Sequence, residues 1–191
     1  MEHYSGGARR VAALTQKQAF LVLTYLRGLG NKRNVLLWAL GITTGLRISD
    51  LLNLRLSEFL TPENKVAKAI TVKESKTGKG RTIPVAPIVE RAINDYRESL
   101  EDGDRLFRIT REQARRLIKR WCDDCGLKGR YGTHTMRKTF ATIAYDNSGC
   151  DPVLTARVTG HSNPSQLLAY IGRKPASEIK VWDALGKAFP A

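Results

Sequence analysis

The 191-residue chain lacks several features that mark particular classes of protein. No apolar run approaches the ~20 residues that a membrane-spanning helix requires, so we expect a soluble protein. The only cysteines are Cys122, Cys125 and Cys150, an odd number that favours a reducing compartment over a disulfide framework. Cys122 and Cys125 form a CxxC motif without two further ligands at matching spacing, so we expect core packing rather than a zinc site.

Acidic residues are scarce relative to basic ones. The chain has 18 Asp and Glu against 32 Lys and Arg, which leaves a formal net charge of +14. A domain this basic most often binds a polyanion, because each cation placed on a phosphate releases condensed counterions. Nucleic acid is the leading partner, although ribosomal proteins, RNA binders and proteins that bind anionic membranes share this statistic.

The spacing of apolar residues predicts a mainly helical protein with one small antiparallel β-sheet, an α+β fold. Residues 1–12 lack periodicity and contain two adjacent glycines, so we expect a flexible tail. Helical patterns begin at the capping box of Thr15 and Gln18 and continue to a last helix over residues 176–189. Between residues 65 and 83, β-branched residues flank a glycine-containing turn and predict the two strands.

Two segments in the first half of the chain contain polar residues that neither a core nor a surface position explains well. Arg47 stands two positions after a glycine at a helix start, with Asp50 three positions later. We expect this arginine to be half buried and oriented by that carboxylate. Lys76 lies at the tip of the predicted hairpin. Taken singly, a helix salt bridge and a solvated lysine are the commoner explanations.

Two later segments complete a pattern. His134 and Arg137 share a helical face by their spacing of three, and His161, which follows a glycine, precedes Tyr170 by nine positions. In order and local context, the four segments resemble the tyrosine recombinase or phage integrase family. That family carries an arginine after a Thr-Gly-Leu-like turn, an acidic residue three further on, a hairpin lysine, His-x-x-Arg, Gly-His, and a tyrosine nine positions after that histidine. The resemblance covers nearly the whole chain.

The resemblance implies the fold of a tyrosine recombinase catalytic domain over residues 13–191, without an N-terminal core-binding domain. It also implies a site-specific recombinase or integrase that cleaves and rejoins DNA through a 3′-phosphotyrosine bond, without metal, ATP or another cofactor. The implied catalytic residues are Arg47, Lys76, His134, Arg137, His161 and Tyr170.

The chemistry of phosphodiester cleavage explains why a site needs these residue types. The two arginines suit the negative charge that develops on the non-bridging oxygens, because a guanidinium is planar and stays protonated. By resemblance, the first histidine accepts the proton of the tyrosine and the second binds the scissile phosphate. The lysine protonates the departing 5′-oxygen. The Asp50 carboxylate is expected to orient the Arg47 guanidinium without contacting the substrate itself.

Double-stranded DNA is the implied partner. Further cations are candidates for contact with it, namely Lys73, Lys79, Arg81, Arg115, Arg116 and Lys119. For the last three, a solvated helix surface explains the pattern equally well. Relatives often use the C-terminal helix to join subunits of a tetramer on DNA, although docking in its own core is as consistent with the apolar stripe here. We expect a bacterial or phage-encoded protein of the cytoplasm, associated with the nucleoid.

Three alternatives stay open on the sequence. A type IB topoisomerase uses nearly the same residues but usually brings a larger clamp. A non-catalytic DNA-binding relative is disfavoured because no member of the catalytic set is missing, and a basic RNA-binding protein explains the charge but not the spacing. About fourteen residues precede the first helix, which fits either an excised catalytic domain or a naturally short recombinase.

Overall fold

The computed structural model describes residues 11–75, 78, 80–100 and 105–173. The helices are α1 (Gln16–Gly28), α2 (Lys32–Thr44), α3 (Ile48–Asn53), α4 (Pro87–Tyr96), α5 (Arg111–Asp124), α6 (Thr133–Asn147), α7 (Pro152–Thr159) and α8 (Pro164–Ile171), and the strands are β1 (Ala69–Lys73) and β2 (Gly80–Pro84). This mainly helical architecture with one small sheet confirms the predicted fold class. The hairpin-tip lysines Lys76 and Lys79 and the predicted helix over 176–189 lie outside the described residues.

Local sequence signals set several helix starts. The Thr15 hydroxyl accepts a hydrogen bond from the Gln18 backbone N–H, and the Gln18 side chain accepts one from the Thr15 N–H, which is the predicted capping box. Thr110 and Gln113 repeat it at α5. Two residues of the predicted tail are anchored, because the Ala12 N–H donates to a carbonyl at 2.8 Å and the Val11 carbonyl accepts from a lysine at 3.1 Å.

The two strands pair antiparallel, with Thr71 opposite Thr82 and Lys73 opposite Gly80. Ile70, Val72 and Ile83 point into the core, while their neighbours face outward. This alternation shows that one face of the hairpin packs on the core and the other faces outward. Lys73 is exposed on β1, and β2 ends at Pro84 as its missing N–H donor predicts.

Most buried side chains form one main core around α2. Trp38 is fully buried, its indole N–H donates to the Ala19 carbonyl at 3.0 Å, and its ring meets Trp121 edge to face at 6.1 Å. Cys122 is buried in the same core, as predicted, and burial raises the pKa of its thiol to about 12. Over the part of the chain that the structure describes, no helix has the length and apolar character to cross a membrane.

A second, minor cluster of buried apolar residues joins the C-terminal half of α6 to α7 and α8. Its buried members are Ala141, Ala156, Leu167, Leu168 and Ile171, with Tyr145 and Tyr170 packed against them. The first turns of α6 face the main core instead, through Met136. Helix α6 therefore joins two hydrophobic units, and the predicted site residues lie where the two meet.

Candidate active site

The turn between α2 and α3 shapes one wall of the site. Helix α2 ends at Gly45, whose φ of +61° is a conformation that side-chain-bearing residues rarely adopt. A Cβ at this position would also lie 2.1 Å from a ring carbon of Phe140. Space and backbone conformation thus both require glycine here, and the Gly45 carbonyl is free to accept a hydrogen bond from Arg137.

Arg47 follows this turn as the N-cap of α3, with 24% of its side chain exposed. Its Nη1 lies 2.6 Å from Oε2 of Glu74. The prediction that Asp50 orients Arg47 is wrong, because Oδ1 of Asp50 instead accepts from the Ser75 backbone N–H at 3.1 Å. Oδ2 of Asp50 has no hydrogen-bond partner among the described residues. The helical-face argument fails because an N-cap has extended backbone angles, here φ −67° and ψ 149°.

Glu74 pairs with both Arg47 and Arg81. Glu74 is buried, and its Oε1 lies 3.4 Å from Nη1 of Arg81, whose Nη2 donates to the Thr44 carbonyl. Burial and the charge of Arg47 lower the pKa of the Arg81 guanidinium, while Glu74 opposes this shift. Arg81 was predicted as a candidate for DNA contact. Its side chain is 16% exposed and pairs with Glu74, and its contact with DNA stays a prediction. The sequence of β2 does not reveal that this side chain turns inward to a buried carboxylate.

Arg137 ties the two walls of the site together. Arg137 belongs to α6, and its side chain is buried. It donates to the Gly45 carbonyl at the end of α2 and to the Thr159 carbonyl of α7, the latter at 2.9 Å. Burial, followed by the charge of Arg47, lowers the pKa of this guanidinium. Because two backbone oxygens hold it, Arg137 has a defined position without a carboxylate hydrogen-bond partner among the described residues.

The end of α7 presents His161. Gly160 ends the helix in the left-handed conformation, and Nδ1 of His161 lies 2.6 Å from the Thr159 hydroxyl. Burial and the positive charges of Arg137 and Arg47 lower the pKa of His161 to about 4. The imidazole is therefore neutral at physiological pH, and its hydrogen bond to a threonine side chain restricts the orientation of the ring.

Tyr170 lies on α8 with its ring 5.1 Å from that of His161, centroid to centroid. Its hydroxyl is buried and has no hydrogen-bond partner among the described residues. Burial raises the pKa of the phenol, and the charges of Arg137 and Arg47 act in the opposite direction. An unpaired buried hydroxyl costs stability, and a ligand oxygen or a small movement of α8 removes that cost.

Two adjoining cavities open beside these residues. The smaller, about 120 Å³, is lined by Arg47, Ile48, Ser49, Arg111, Thr133, His134 and Arg137. The larger, about 400 Å³, is lined by Val11, His134, Lys138, Gln166, Ala169 and Tyr170. His134 lines both cavities and so stands between the guanidinium groups and the tyrosine. The small cavity suits an anion, because three arginines and two hydroxyls surround it.

Partial burial lowers the pKa of His134, and the charges of Arg111, Arg137 and Arg47 lower it further. Arg111 was not among the predicted site residues. It directly follows the Thr110 cap as the first residue of α5, and nothing in its local sequence distinguishes it from the other cations of that helix. The packing of α5 against α6 is what brings it to the cavity.

The sequence of this chain matches the Phage integrase family over residues 13–176. The chain belongs to the phage integrase family. It is 34% identical over 149 residues to the probable integrase/recombinase YoeC of Bacillus subtilis (strain 168), covering 74% of this chain and 78% of that protein. It is 28% identical over 169 residues to the tyrosine recombinase XerC of Caldanaerobacter subterraneus, covering 82% of this chain and 46% of that protein.

Solved structures of integrase-family proteins share this fold. XerH recombinase bound to its difH substrate, in a pre-cleavage complex, matches 98% of this chain with a TM-score of 0.74 at 19% identity, and 58% of that chain is covered. The catalytic domain of bacteriophage HP1 integrase matches 95% of this chain and is itself 99% covered, with a TM-score of 0.62 at 21% identity. This integrase-family chain therefore spans the length of an isolated catalytic domain and less than two thirds of XerH.

The integrase fold brings five of the six predicted catalytic residues to the two cavities and their walls, namely Arg47, His134, Arg137, His161 and Tyr170. Lys76, the sixth, lies outside the described residues. Glu74 and Arg111 were missed by the sequence patterns. A buried carboxylate two residues before the hairpin tip has no local signal, because a glutamate beside lysines in a turn normally indicates a solvated surface.

Three predicted DNA contacts lie on the exposed side of α5. Arg115, Arg116 and Lys119 have side chains 50%, 70% and 57% exposed. They pair with Glu112 and Asp123 of the same helix. Exposed pairs of this kind contribute little to stability, so a phosphate is able to replace either acid as partner. These contacts stay predictions.

Proposed function

We propose that this chain is the catalytic domain of a site-specific DNA recombinase or integrase that cleaves and rejoins strands through a covalent bond to Tyr170. The observation that carries the proposal is one arrangement of groups. Two anchored guanidiniums, two imidazoles with lowered pKa and a tyrosine surround two cavities that share His134. Each group matches a separate requirement of phosphodiester cleavage without a resident metal.

Charge neutralisation is the first requirement. Attack on a phosphodiester builds negative charge on its non-bridging oxygens, and fixed donors must stabilise that charge. Arg47 and Arg137 offer guanidinium donors at the small cavity, and Arg111 adds a third positive charge there. Loss of one such donor typically costs about 3–4 kcal/mol of transition-state stabilisation, or roughly a hundred- to a thousandfold in rate.

Proton transfer is the second requirement. An ordinary tyrosine has a pKa of about 10, so it needs a base as it attacks. The lowered pKa of His134 leaves this imidazole neutral and able to accept the proton of Tyr170. The tyrosine oxygen bonds to phosphorus, the bond from phosphorus to the 5′-oxygen breaks, and that oxygen takes a proton that we assign to Lys76. Attack of another 5′-hydroxyl on the phosphotyrosyl ester then reverses the sequence.

Because the phosphotyrosyl ester retains the phosphodiester's bond energy, rejoining requires neither ATP nor a metal ion. Double-stranded DNA is the partner that we propose, and the XerH complex with difH supports it. The exposed cations of α5 offer a surface for the DNA backbone next to the small cavity. We further propose that residues 176–189 join subunits of a tetramer on DNA, and that the protein acts in the cytoplasm on bacterial or phage DNA.

A suicide substrate tests this function directly. The DNA is nicked close to the cleavage position so that the freed end diffuses away, and it is drawn from a pool of candidate sequences. Incubation in EDTA is followed by a denaturing gel that detects protein bound to DNA. We expect an adduct with the wild type and none with Tyr170→Phe, which should still bind DNA because the ring and the cationic surface remain.

Tyr145→Phe is the matched control, because Tyr145 packs against the same minor cluster. This variant should form the adduct at the wild-type rate. An adduct with Tyr170→Phe would contradict the assignment of the nucleophile, and loss of the wild-type adduct in EDTA would contradict the metal-independent chemistry. A wild type that binds the pooled DNA without any adduct would overturn the catalytic proposal in favour of a binding function.

A further inference from the structure

Glu74 lies where three segments around the site converge. Its side chain is 5% exposed, with Oε2 2.6 Å from Nη1 of Arg47 and Oε1 3.4 Å from Nη1 of Arg81. A Cβ on Gly160 would lie 3.3 Å from the same Oε1, so the turn after α7 passes close by. We propose that Glu74 is the positioning residue for Arg47, an inference that rests on the proposed function of the site.

The two site arginines differ in what holds them. Arg137 donates to the carbonyls of Gly45 and Thr159, and these bonds persist whatever residue stands at position 74. The Arg47 side chain makes a single hydrogen bond to the part of the chain that the structure describes, and that bond goes to Glu74. Removal of this carboxylate therefore frees Arg47 but not Arg137, whereas Arg81 keeps its bond to the Thr44 carbonyl. The Arg47 side chain is 24% exposed and is able to turn toward water.

Electrostatics reinforces this dependence. The charge of Arg47 lowers the pKa of both Arg81 and Arg137, so the three guanidiniums repel one another across the site. Glu74 brings a negative charge into contact with two of them. A neutral residue there removes this compensation, and Arg47, the most exposed of the three side chains, is the one that moves outward.

The geometry also leaves Arg47 available to a ligand. A guanidinium has five N–H donors, and Glu74 engages it through Nη1 alone. The remaining donors serve the small cavity, which Arg47 lines together with His134 and Arg137. Glu74 further belongs to the hairpin, since its backbone carbonyl accepts from the Gly78 N–H at 2.8 Å. The carboxylate thus couples the placement of the hairpin to that of Arg47.

The experiment compares Glu74→Gln, which keeps the shape and removes the charge, with Glu74→Asp, which keeps the charge on a shorter stem. Asp146→Asn is the matched control, because it removes an exposed carboxylate–arginine pair outside α5. Single-turnover adduct formation is measured on three suicide substrates. One has an ordinary phosphodiester, one a neutral methylphosphonate and one a 5′-bridging sulfur whose departure needs no proton.

On the phosphodiester we expect Glu74→Gln to react about ten- to a hundredfold more slowly than wild type, because a donor is misplaced rather than deleted. DNA affinity should change by less than about threefold. Relative to wild type, the deficit should shrink on the methylphosphonate, which carries no charge for Arg47 to neutralise, and persist on the sulfur substrate. Glu74→Asp should recover part of the rate, and Asp146→Asn should match wild type.

Wild-type speed of Glu74→Gln would overturn the proposal, and so would an equal deficit on all three substrates, which indicates general damage. Loss of the deficit on the sulfur substrate would assign Glu74 to leaving-group protonation instead. A side-chain NMR spectrum makes the test independent of catalysis. The Nη protons of Arg47 should exchange rapidly in Glu74→Gln, while those of Arg137 stay protected. Unchanged Arg47 signals would overturn the inference. A wild type that forms no adduct would overturn only the proposed function, and the NMR comparison would still test the role of Glu74.

Discussion

The arginines and the tyrosine of this site belong to regions of very different construction. Arg47 follows α2, the helix at the centre of the main core, which contains most of the buried apolar residues that the structure describes. Arg137 joins this side to α7 through the carbonyls of Gly45 and Thr159. Tyr170 packs against the minor cluster, which has five buried members. Hydrophobic stabilisation scales with buried apolar area, so the tyrosine side should open at a lower free energy than the arginine side.

The two regions also differ in how well their buried polar groups are hydrogen-bonded. The guanidiniums of Arg47 and Arg137 have hydrogen-bond partners, whereas the Tyr170 hydroxyl is buried without one over the part of the chain that the structure describes. Firmly held guanidiniums beside a less firmly held tyrosine suit the proposed reaction, in which the phosphate must be fixed while Tyr170 approaches and departs. The difference also indicates which substitutions should act globally and which should act locally.

The largest expected effect comes from a pair of left-handed glycines, one on each side. Gly45→Ala should lower the free energy of unfolding by about 2–5 kcal/mol, because a strained φ adds to an overlap with Phe140. Gly172→Ala meets nothing within 4 Å and should cost about 1–2 kcal/mol from backbone strain alone. Urea denaturation measures both, and equal losses would show that the two regions are packed alike.

Leucine truncations should give a smaller contrast. Leu37→Ala in the main core should cost near the upper end of about 2–5 kcal/mol, and Leu167→Ala in the minor cluster near the lower end, because the smaller unit relaxes more readily. In a hydrogen-exchange experiment, Leu167→Ala should increase the exchange rates of the backbone amides of α7 and α8, while the amides of α2 keep their protection. Acceleration of α2 to the same extent would mean that the chain opens as a single cooperative unit.

The smallest expected effect separates the two histidines. The charge of Arg111 contributes to the lowered pKa of His134 but is not among the causes for His161. Arg111→Gln should therefore raise the pKa of His134 and leave that of His161 near 4. Ring-proton NMR over a pH series measures both values, and His161 is the internal control. A parallel shift of both would indicate a general rearrangement of the site.

The lowered pKa of His161 also gives stability a definite pH dependence. Its folded value of about 4 lies below the ordinary 6.5, so between these values the unfolded chain binds a proton that the folded chain does not. The contribution of this residue to stability is thus unchanged above pH 6.5 and falls as the pH drops toward 4. The loss should appear first on the tyrosine side, where His161 lies beside Tyr170.

Local sequence patterns were enough to predict the fold class and the helix caps at Thr15 and Thr110. The resemblance of its motifs to a known family predicted the family to which the chain belongs. The same motifs predict Arg137 and Tyr170 as site residues, and the structure places the two on adjoining cavities. Caps are likewise local, because an N-cap side chain binds a backbone N–H two or three residues away. Such features are determined by neighbours in the chain and need no knowledge of packing.

Only the tertiary structure decided the partner of each charge. Asp50 is three residues from Arg47 yet binds the hairpin backbone, while Glu74, 27 residues away, holds the guanidinium. Arg81 turns inward and Arg111 reaches the anion cavity because β2 and α5 pack where they do. Burial multiplies the strength of a charge pair and the penalty for an unpaired one, and burial is a property of the folded chain that no local pattern records.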